Sequence, residues 1–464
     1  MNLADIHHVY FVGVGGIGMS AIARWFRSQG VAVYGYDRVS SPLTQTLERE
    51  GIAVHYEDDV HLIADAVKND QAGTLVVYTP AIQGTHSELE YFRSAGYVIM
   101  KRAEVLGVIT KDKYTVGVAG THGKTTTSSM LAHLLEASGF GCNAFIGGIM
   151  TNYASNLIMG GKDDVVVVEA DEFDRSFLQL HPDIAIVTSV DPDHLDIYGD
   201  ETEMLRTFNE YVGRTDRDGM IIMNSRVRDQ FAEASLTAAT VTYGADQGEV
   251  QVANLRISDG VFHFDYQHGD VVIQDLILSV PGYHNMENCV AAITAALRLG
   301  VDSAKIKEAV ASYQGVKRRF EYIIRNDRQV FIDDYAHHPG EISAFITSVR
   351  ALFPGRKLTA IFQPHLFSRT NDFASGFAEE LSKVDELILL DIYPAREDPM
   401  PGVTSQLIFD QVTLENKVLI GKSEVVSELK DRELEVLVTI GAGDIDREVP
   451  KIKEYLEGKE VSHV

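Results

Sequence analysis

The chain has 464 residues, too many for one hydrophobic core, and its size points to about three domains. An apolar share of 45% and a charged share of 23% suit a soluble globular protein. The net charge of −26 argues against non-specific binding to nucleic acid or to an anionic membrane, so anionic ligands must be held by local basic clusters.

Residues 9–14 read as a buried strand, followed by a helix over 17–29 and a strand over 31–36. Further strands fall at 52–55, 74–78 and 97–100. Strands that alternate with helices predict a parallel sheet with helical crossovers. Gly13, Gly15 and Gly18 follow the first strand as Gly-x-Gly-x-x-Gly, and Asp37 closes the second strand. Taken alone, this is a dinucleotide fingerprint. The same glycines would hold any pyrophosphate at a helix N-terminus, including that of a UDP-sugar, or simply form a tight turn. Nothing elsewhere in the chain suggests hydride chemistry. A boundary is expected near 104–113, giving a first domain over 1–108.

The next segment is the most informative. A strand-like run, Tyr114 to Ala119, leads into Gly120-Thr121-His122-Gly123-Lys124-Thr125-Thr126, and a helical pattern follows from Thr127 to Glu136. Strand, glycine turn and helix are the context of a phosphate loop, in which backbone N–H groups and the helix N-terminus face the anion. Lys124 supplies a charge for the β- and γ-phosphates, and the Thr125 hydroxyl can reach Mg²⁺. Val118 stands where the strict pattern has its first glycine. Glu169 ends the apolar strand 164–169, where a parallel sheet opens to its ligand, and is placed to hold Mg²⁺. His194, flanked by Asp191, Asp193 and Asp196 after a strand at 184–188, is a candidate metal or phosphate ligand. A strand at 219–223 and a β-rich patch at 240–280 precede a helix over 285–298. At its start, the side-chain amides of Asn285 and Asn288, beside His284, could read an adenine edge, or Asn285 could cap the helix. The central domain spans 109–315.

A third domain, 316–464, carries strands at 329–333, 357–362, 386–391, 417–420 and 435–440. Basic and aromatic residues cluster in Lys317-Arg318-Arg319-Phe320, in Asp333-Asp334-Tyr335-Ala336-His337-His338, and in Gln363-Pro364-His365 with Arg369-Thr370. Such loops suit a carboxylate substrate or the charge that builds on a transferred phosphoryl group. The two cysteines, Cys142 and Cys289, sit among small or apolar residues and read as buried free thiols. No secretory signal and no apolar run of about 18 residues is seen, so a cytoplasmic protein without membrane insertion is expected.

These motifs, in this order, resemble the Mur ligase family of ATP-dependent amide-forming enzymes in peptidoglycan synthesis. They include Phe11 to Ser20, Gly120 to Thr125, Glu169 to Glu172, Asp193 to Asp196, His284-Asn285 with Asn288, Arg318 to Phe320, Asp333 to Pro339, Gln363 to His365, Asp391 to Ala395 and Gly441 to Asp444. The resemblance is strongest to the alanine-adding branch. It implies an α/β fold of three domains: an N-terminal Rossmann-like domain for the UDP-sugar, a central phosphate-loop ATPase with a mostly parallel sheet, and a C-terminal Rossmann-like domain for the amino acid.

It further implies ATP and Mg²⁺, with UDP-N-acetylmuramate and L-alanine as substrates, in a monomer or homodimer. It assigns Gly15, Gly16, Ile17, Gly18, Asp37 and Thr79 to the sugar nucleotide. It assigns residues 120–126, His284, Asn285, Asn288 and Arg319 to ATP. Thr125, Glu169 and His194 go to the metal. Tyr335, His337, His365 and Arg369 go to the amino acid. Lys124, His194, Arg369 and His337 are the catalytic candidates. Three departures stand out. No lysine occurs between Asp196 and Lys305, Leu366-Phe367 replaces a more usual Arg-Tyr, and Tyr36 precedes Asp37 where Ser is common.

Overall fold

The computed structural model describes residues 3–461 apart from 81, 83, 161–164, 193–194, 232–235, 259, 396 and 431. Three sheets organise the chain. The first holds β1 (His8–Val12), β2 (Ala32–Tyr36), β3 (Ala53–His55), β4 (Thr74–Tyr78) and β5 (Val98–Lys101) in the order β3-β2-β1-β4-β5. All its pairings are parallel, and the order reverses beside β1. That reversal is where an open parallel sheet forms a ligand crevice.

The second sheet holds β6 (Tyr114–Ala119), β7 (Asn143–Met150), β8 (Ser155–Met159), β9 (Val165–Glu169), β10 (Ile184–Val187), β11 (Met220–Asn224), β12 (Ala239–Tyr243), β13 (Val250–Ser258), β14 (Val261–His268) and β15 (Val271–Leu278). Its order is β15-β14-β13-β12-β11-β10-β6-β9-β7-β8. β6 lies between β10 and β9, parallel to both, so its C-terminal end opens in mid-sheet. The valines of β9 are buried, as a strand covered on both faces requires.

The third sheet holds β16 (Glu321–Arg325), β17 (Val330–Asp334), β18 (Leu358–Phe362), β19 (Glu386–Leu390), β20 (Lys417–Ile420) and β21 (Val436–Ile440) in the order β16-β17-β21-β18-β19-β20. Only β16 runs antiparallel to its neighbour. The expected α/β class with three mostly parallel sheets is therefore observed.

Two compact units result. One comprises residues 1–252, 266–273 and 287–310, and the other comprises 253–265, 274–286 and 311–464. In the first unit, an apolar cluster runs from Val9 and Phe11 of β1 through Ile22 and Phe26 to Phe145, Val168 and Phe177. The sheet that begins at β1 and the sheet built around β6 thus share one core. The helix Ile17–Ser28 lies on β7 and β8, and the buried Asn156 amide of β8 donates to Ile17 O at 2.6 Å and to Ser20 Oγ at 2.9 Å.

The hairpin β7–β8 and the antiparallel edge strand β16 are additions to the sequence reading. β7 contains Gly147-Gly148 and shifts register between Phe145 and Met150, so its alternation is broken where a pattern search would look. The phosphate-loop helix spans Lys124–Ala137 and starts three residues ahead of expectation. Its three consecutive threonines have weak helix propensity and conceal the true start. The helix at Tyr283–Arg298 likewise begins before Asn285, which rules out Asn285 as its N-cap.

Candidate active site

In the turn after β6, Gly123 adopts φ +84° as the helix N-cap, with no side chain capping the helix. Its first-turn N–H groups are therefore available to an anion. A Cβ at Gly123 would lie 2.7 Å from Asn288 Oδ1, so the buried Asn288 amide sits directly on the turn. The turn is fixed from the end of β10. Thr121 N–H donates to Ser189 O at 3.1 Å, His122 N–H donates to Ser189 Oγ at 2.8 Å, and Thr188 Oγ1 donates to Ala119 O at 3.2 Å. Thr125 and Thr126 are buried in the first helical turn.

Lys124 Nζ donates to Gly120 O at 2.5 Å and to Glu172 Oε1 at 2.8 Å. Burial works against its charge, but Glu172, Asp171 and Glu169 outweigh burial and keep the ammonium protonated. The acidic run after β9 is met by cations in order. Arg102 Nη2 bonds Asp171 Oδ2 at 2.8 Å, Lys124 bonds Glu172, and Lys101 Nζ bonds Asp174 Oδ2 at 2.6 Å. Glu169 is different. Its Oε1 accepts from Gly147 N–H at 3.0 Å, and no cation pairs with it among the described residues. A carboxylate without a cation and the buried Thr125 hydroxyl offer hard oxygen donors, which fit Mg²⁺. His194, the third expected ligand, lies outside the described residues, as does Asp193.

At the N-terminal sheet, Gly16 caps the helix Ile17–Ser28 without a side-chain hydrogen bond, leaving that N-terminus open as well. Asp37 Oδ2 accepts from Gly15 N–H at 2.7 Å and Oδ1 from Val39 N–H at 3.1 Å, so the carboxylate braces the turn itself. Thr79 lies against Gly13. The six residues expected around a sugar-nucleotide pyrophosphate are thus brought to one turn and its rim.

In the second unit, Arg319 and Glu341 both act on His284, whose imidazole is pushed down to about 4, chiefly by burial. His284 is therefore neutral near pH 7, and its Nδ1 is buried without a hydrogen-bond partner. Asn285 Nδ2 donates to Pro281 O at 3.0 Å, fixing the start of its helix. A line of rings follows. Tyr335 meets His337 at 5.4 Å between centroids, His337 meets His365 at 6.2 Å, and His365 stacks on Tyr393 at 5.8 Å. Arg369 Nη1 lies 3.4 Å from His365 Nδ1. The four expected amino-acid residues are therefore neighbours.

Arg318 adopts φ +62°, lies 5.0 Å from the Tyr335 ring centroid, and donates to Gly441 O at 2.6 Å and Gly443 O at 3.0 Å. This ties the loop before β16 to the end of β21. Asp333 and Asp334, at the end of β17, are pushed up to about 7 and about 6 by burial. Sequence reasoning did not single out Arg102 or Asn156, and it noted Tyr393 only within the motif Asp391 to Ala395. The basic pair Lys101-Arg102, which closes β5 at the carboxyl end of a parallel strand, was the available signal for Arg102.

Comparison with known proteins agrees with this geometry. Residues 8–114 match the Mur ligase family catalytic domain, residues 118–296 the Mur ligase middle domain, and residues 318–445 the Mur ligase glutamate ligase domain. The chain belongs to the Mur ligase family.

Among Mur ligases it is similar to the UDP-N-acetylmuramate–L-alanine ligase of Flavobacterium johnsoniae, 49% identical over 98% of this chain and 99% of that protein. The enzyme of the same name from Porphyromonas gingivalis W83 is 47% identical over 97% of this chain and 99% of its own. The solved UDP-N-acetylmuramate–alanine ligase of Thermotoga maritima superposes with a TM-score of 0.81 at 28% identity, covering 97% of this chain and 99% of that one. The Mur ligase MurF from Thermotoga maritima, solved in complex with ADP, shares the fold with a TM-score of 0.64 at 16% identity, covering 99% of this chain and 100% of that one.

Proposed function

We propose that this chain is an ATP-dependent ligase that joins L-alanine to the lactyl carboxylate of UDP-N-acetylmuramate, giving ADP and phosphate. The observation that carries this reading is the pairing of two open helix N-termini, at Gly16 and Gly123, in a chain about 49% identical over 98% of its length to a ligase of that name. One turn suits the sugar nucleotide and the other suits ATP.

A carboxylate is a poor electrophile, and transfer of the γ-phosphoryl group to it gives an acyl phosphate that an amine can attack. Lys124 and the N–H groups of residues 121–126 would hold the triphosphate and offset charge on the moving group. Thr125 and Glu169, with His194, would hold Mg²⁺, which supplies charge neutralisation between the phosphates. Asn288 supports adenosine placement from its position on Gly123, and His284, Asn285 and Arg319 belong to the same group in this reading. Tyr335, His337, His365 and Arg369 would hold alanine, with Arg369 taking its carboxylate. The amine attacks as the free base. His194 and His337 are the candidates to take its proton.

The domains are assigned as 1–108 for the sugar nucleotide, 109–315 for ATP and 316–464 for the amino acid. Among the described residues no helix is long and apolar enough to cross a membrane. The use of ATP and a nucleotide sugar supports the cytoplasm, with the chain acting as a monomer or homodimer.

The test is phosphate release across a panel of amino acids and the L-Ala-γ-D-Glu-meso-diaminopimelate tripeptide, with and without UDP-N-acetylmuramate. Release should require both ATP and the nucleotide sugar and be fastest with L-alanine. Release driven by the tripeptide but not by alanine would overturn the substrate assignment. Lys124→Ala should abolish turnover while the nucleotide sugar still binds in calorimetry.

A further inference from the structure

Arg102 lies beside Gly18 of the first turn and bonds Asp171 of the acidic run that follows β9. Its guanidinium lies so close to Gly18 that a Cβ there would sit 2.7 Å from Nη1. A larger residue at 18 would push the guanidinium from its present place. The other end of the fork, Nη2, donates to Asp171 at 2.8 Å. Asp171 in turn accepts from Phe173 N–H at 3.1 Å through Oδ1, and it adjoins Glu172, whose Oε1 accepts from Lys124 Nζ at 2.8 Å. The joint beneath is tight, because the helix Arg102–Thr110 packs with Gly107 against the Gln179 carbonyl of the segment Phe173–Gln179. Within that segment Asp174 and Arg175 adopt φ +53° and +55°, an arrangement that non-glycine residues keep only when neighbours impose it. Both residues carry an ion pair, Lys101 to Asp174 and Arg175 to Glu203 at 2.9 Å.

An arginine has five donors in a rigid fork, so one guanidinium can serve two anions at once. We propose that Arg102 is a positioning residue that couples the two nucleotide sites. Its Nη1 side meets the pyrophosphate of the sugar nucleotide at Gly18 while Nη2 keeps Asp171, and through Asp171 the acidic run beside Lys124, in place. Binding of the sugar nucleotide then orders the ATP site and tightens it, and by linkage ATP tightens the sugar-nucleotide site by the same factor. The proposal rests on the functional reading given above.

The test is calorimetry of the full chain with a non-hydrolysable ATP analogue and magnesium, with and without saturating UDP-N-acetylmuramate. In the parent protein the sugar nucleotide should tighten analogue binding about five-fold. Arg102→Gln and Asp171→Asn should each bring that ratio to about one, and the double variant should do no more than either alone. Arg102→Lys, with a charge but no fork, should give a ratio between these limits. A purely structural loss would weaken both titrations alike and leave the ratio unchanged. A ratio of one in the parent, or an unchanged ratio in both single variants, overturns the coupling while the ligase reading stands. Should the parent bind neither nucleotide, the ligase reading falls and the coupling falls with it. If Arg102→Gln does not fold, the half-exposed Asp171→Asn decides the matter alone.

Discussion

At the turn after β6, Gly123 caps the helix that Lys124 begins, and the buried Asn288 amide lies directly on it. Gly123 carries two demands at once, a left-handed φ and the Asn288 oxygen in contact. Gly123→Ala is therefore expected to cost about 1–2 kcal/mol from backbone strain alone and to weaken nucleotide binding further by pushing Asn288 away. Thermal unfolding and nucleotide titration check the two effects separately, and unchanged nucleotide affinity would remove Asn288 from the site. Arg369, beside His365, is expected to act on the amino acid. Arg369→Ala should raise the KM for alanine more than the KM for ATP, and an unchanged alanine KM would place the carboxylate elsewhere. Lys124 and Gly123 were legible as residues, because a strand, a glycine turn and Gly-Lys-Thr identify a phosphate loop in one dimension. The acidic run's partners were not. Arg102 and Asp171 are 69 residues apart, and nothing in the spacing announces their bond.

Among the elements, the parallel strands were readable because each is a short, nearly continuous apolar run bounded by turns. β7–β8 was not, since paired glycines and a register shift erase its pattern. Yet this hairpin seats the helix Ile17–Ser28, so the least legible element joins the first two sheets. β17 ends in two adjoining acids. Asp333 accepts from Thr439 Oγ1 at 2.5 Å and faces Arg318 at 3.7 Å, and burial nevertheless raises it to about 7. A carboxylate whose native pKa exceeds its unfolded value, about 3.9, binds more protons when folded. Its contribution to stability is complete below about pH 4 and is lost as pH climbs through about 7. Asp333→Asn should flatten that decline. Unfolding temperatures measured at pH 5 and pH 7.5 are the check, and a variant as pH-sensitive as the parent would show that Asp333 is not the cause.

For the molecule as a whole, composition gave size and class, and three α/β sheets followed from the alternation of elements. The shared core of the first two sheets did not follow, because it depends on which faces of Ile17–Ser28 and Arg102–Thr110 meet distant partners. The net charge of −26 has a kinetic consequence. Both nucleotides are anions approaching a like-charged body. Raising salt from about 20 to about 200 mM shortens the Debye length from roughly 20 Å to under 10 Å, so association of a magnesium–ATP analogue should quicken. Stopped-flow rates that fall with salt would mean that local cations such as Lys124 govern the approach instead.

The bond from Lys124 to its own loop carbonyl and to Glu172 has one more implication. A cell is full of small monodentate anions, and each offers this lysine a single grip. The internal counter-ion Glu172 already sits 2.8 Å from the ammonium, so any such visitor would have to compete with it. Under the proposed ligase function, a chelated triphosphate would bring many grips along the turn and so compete with Glu172 better than chloride, sulfate or orthophosphate would. On that reading the Lys124–Glu172 bond would make the loop selective for multivalent anions.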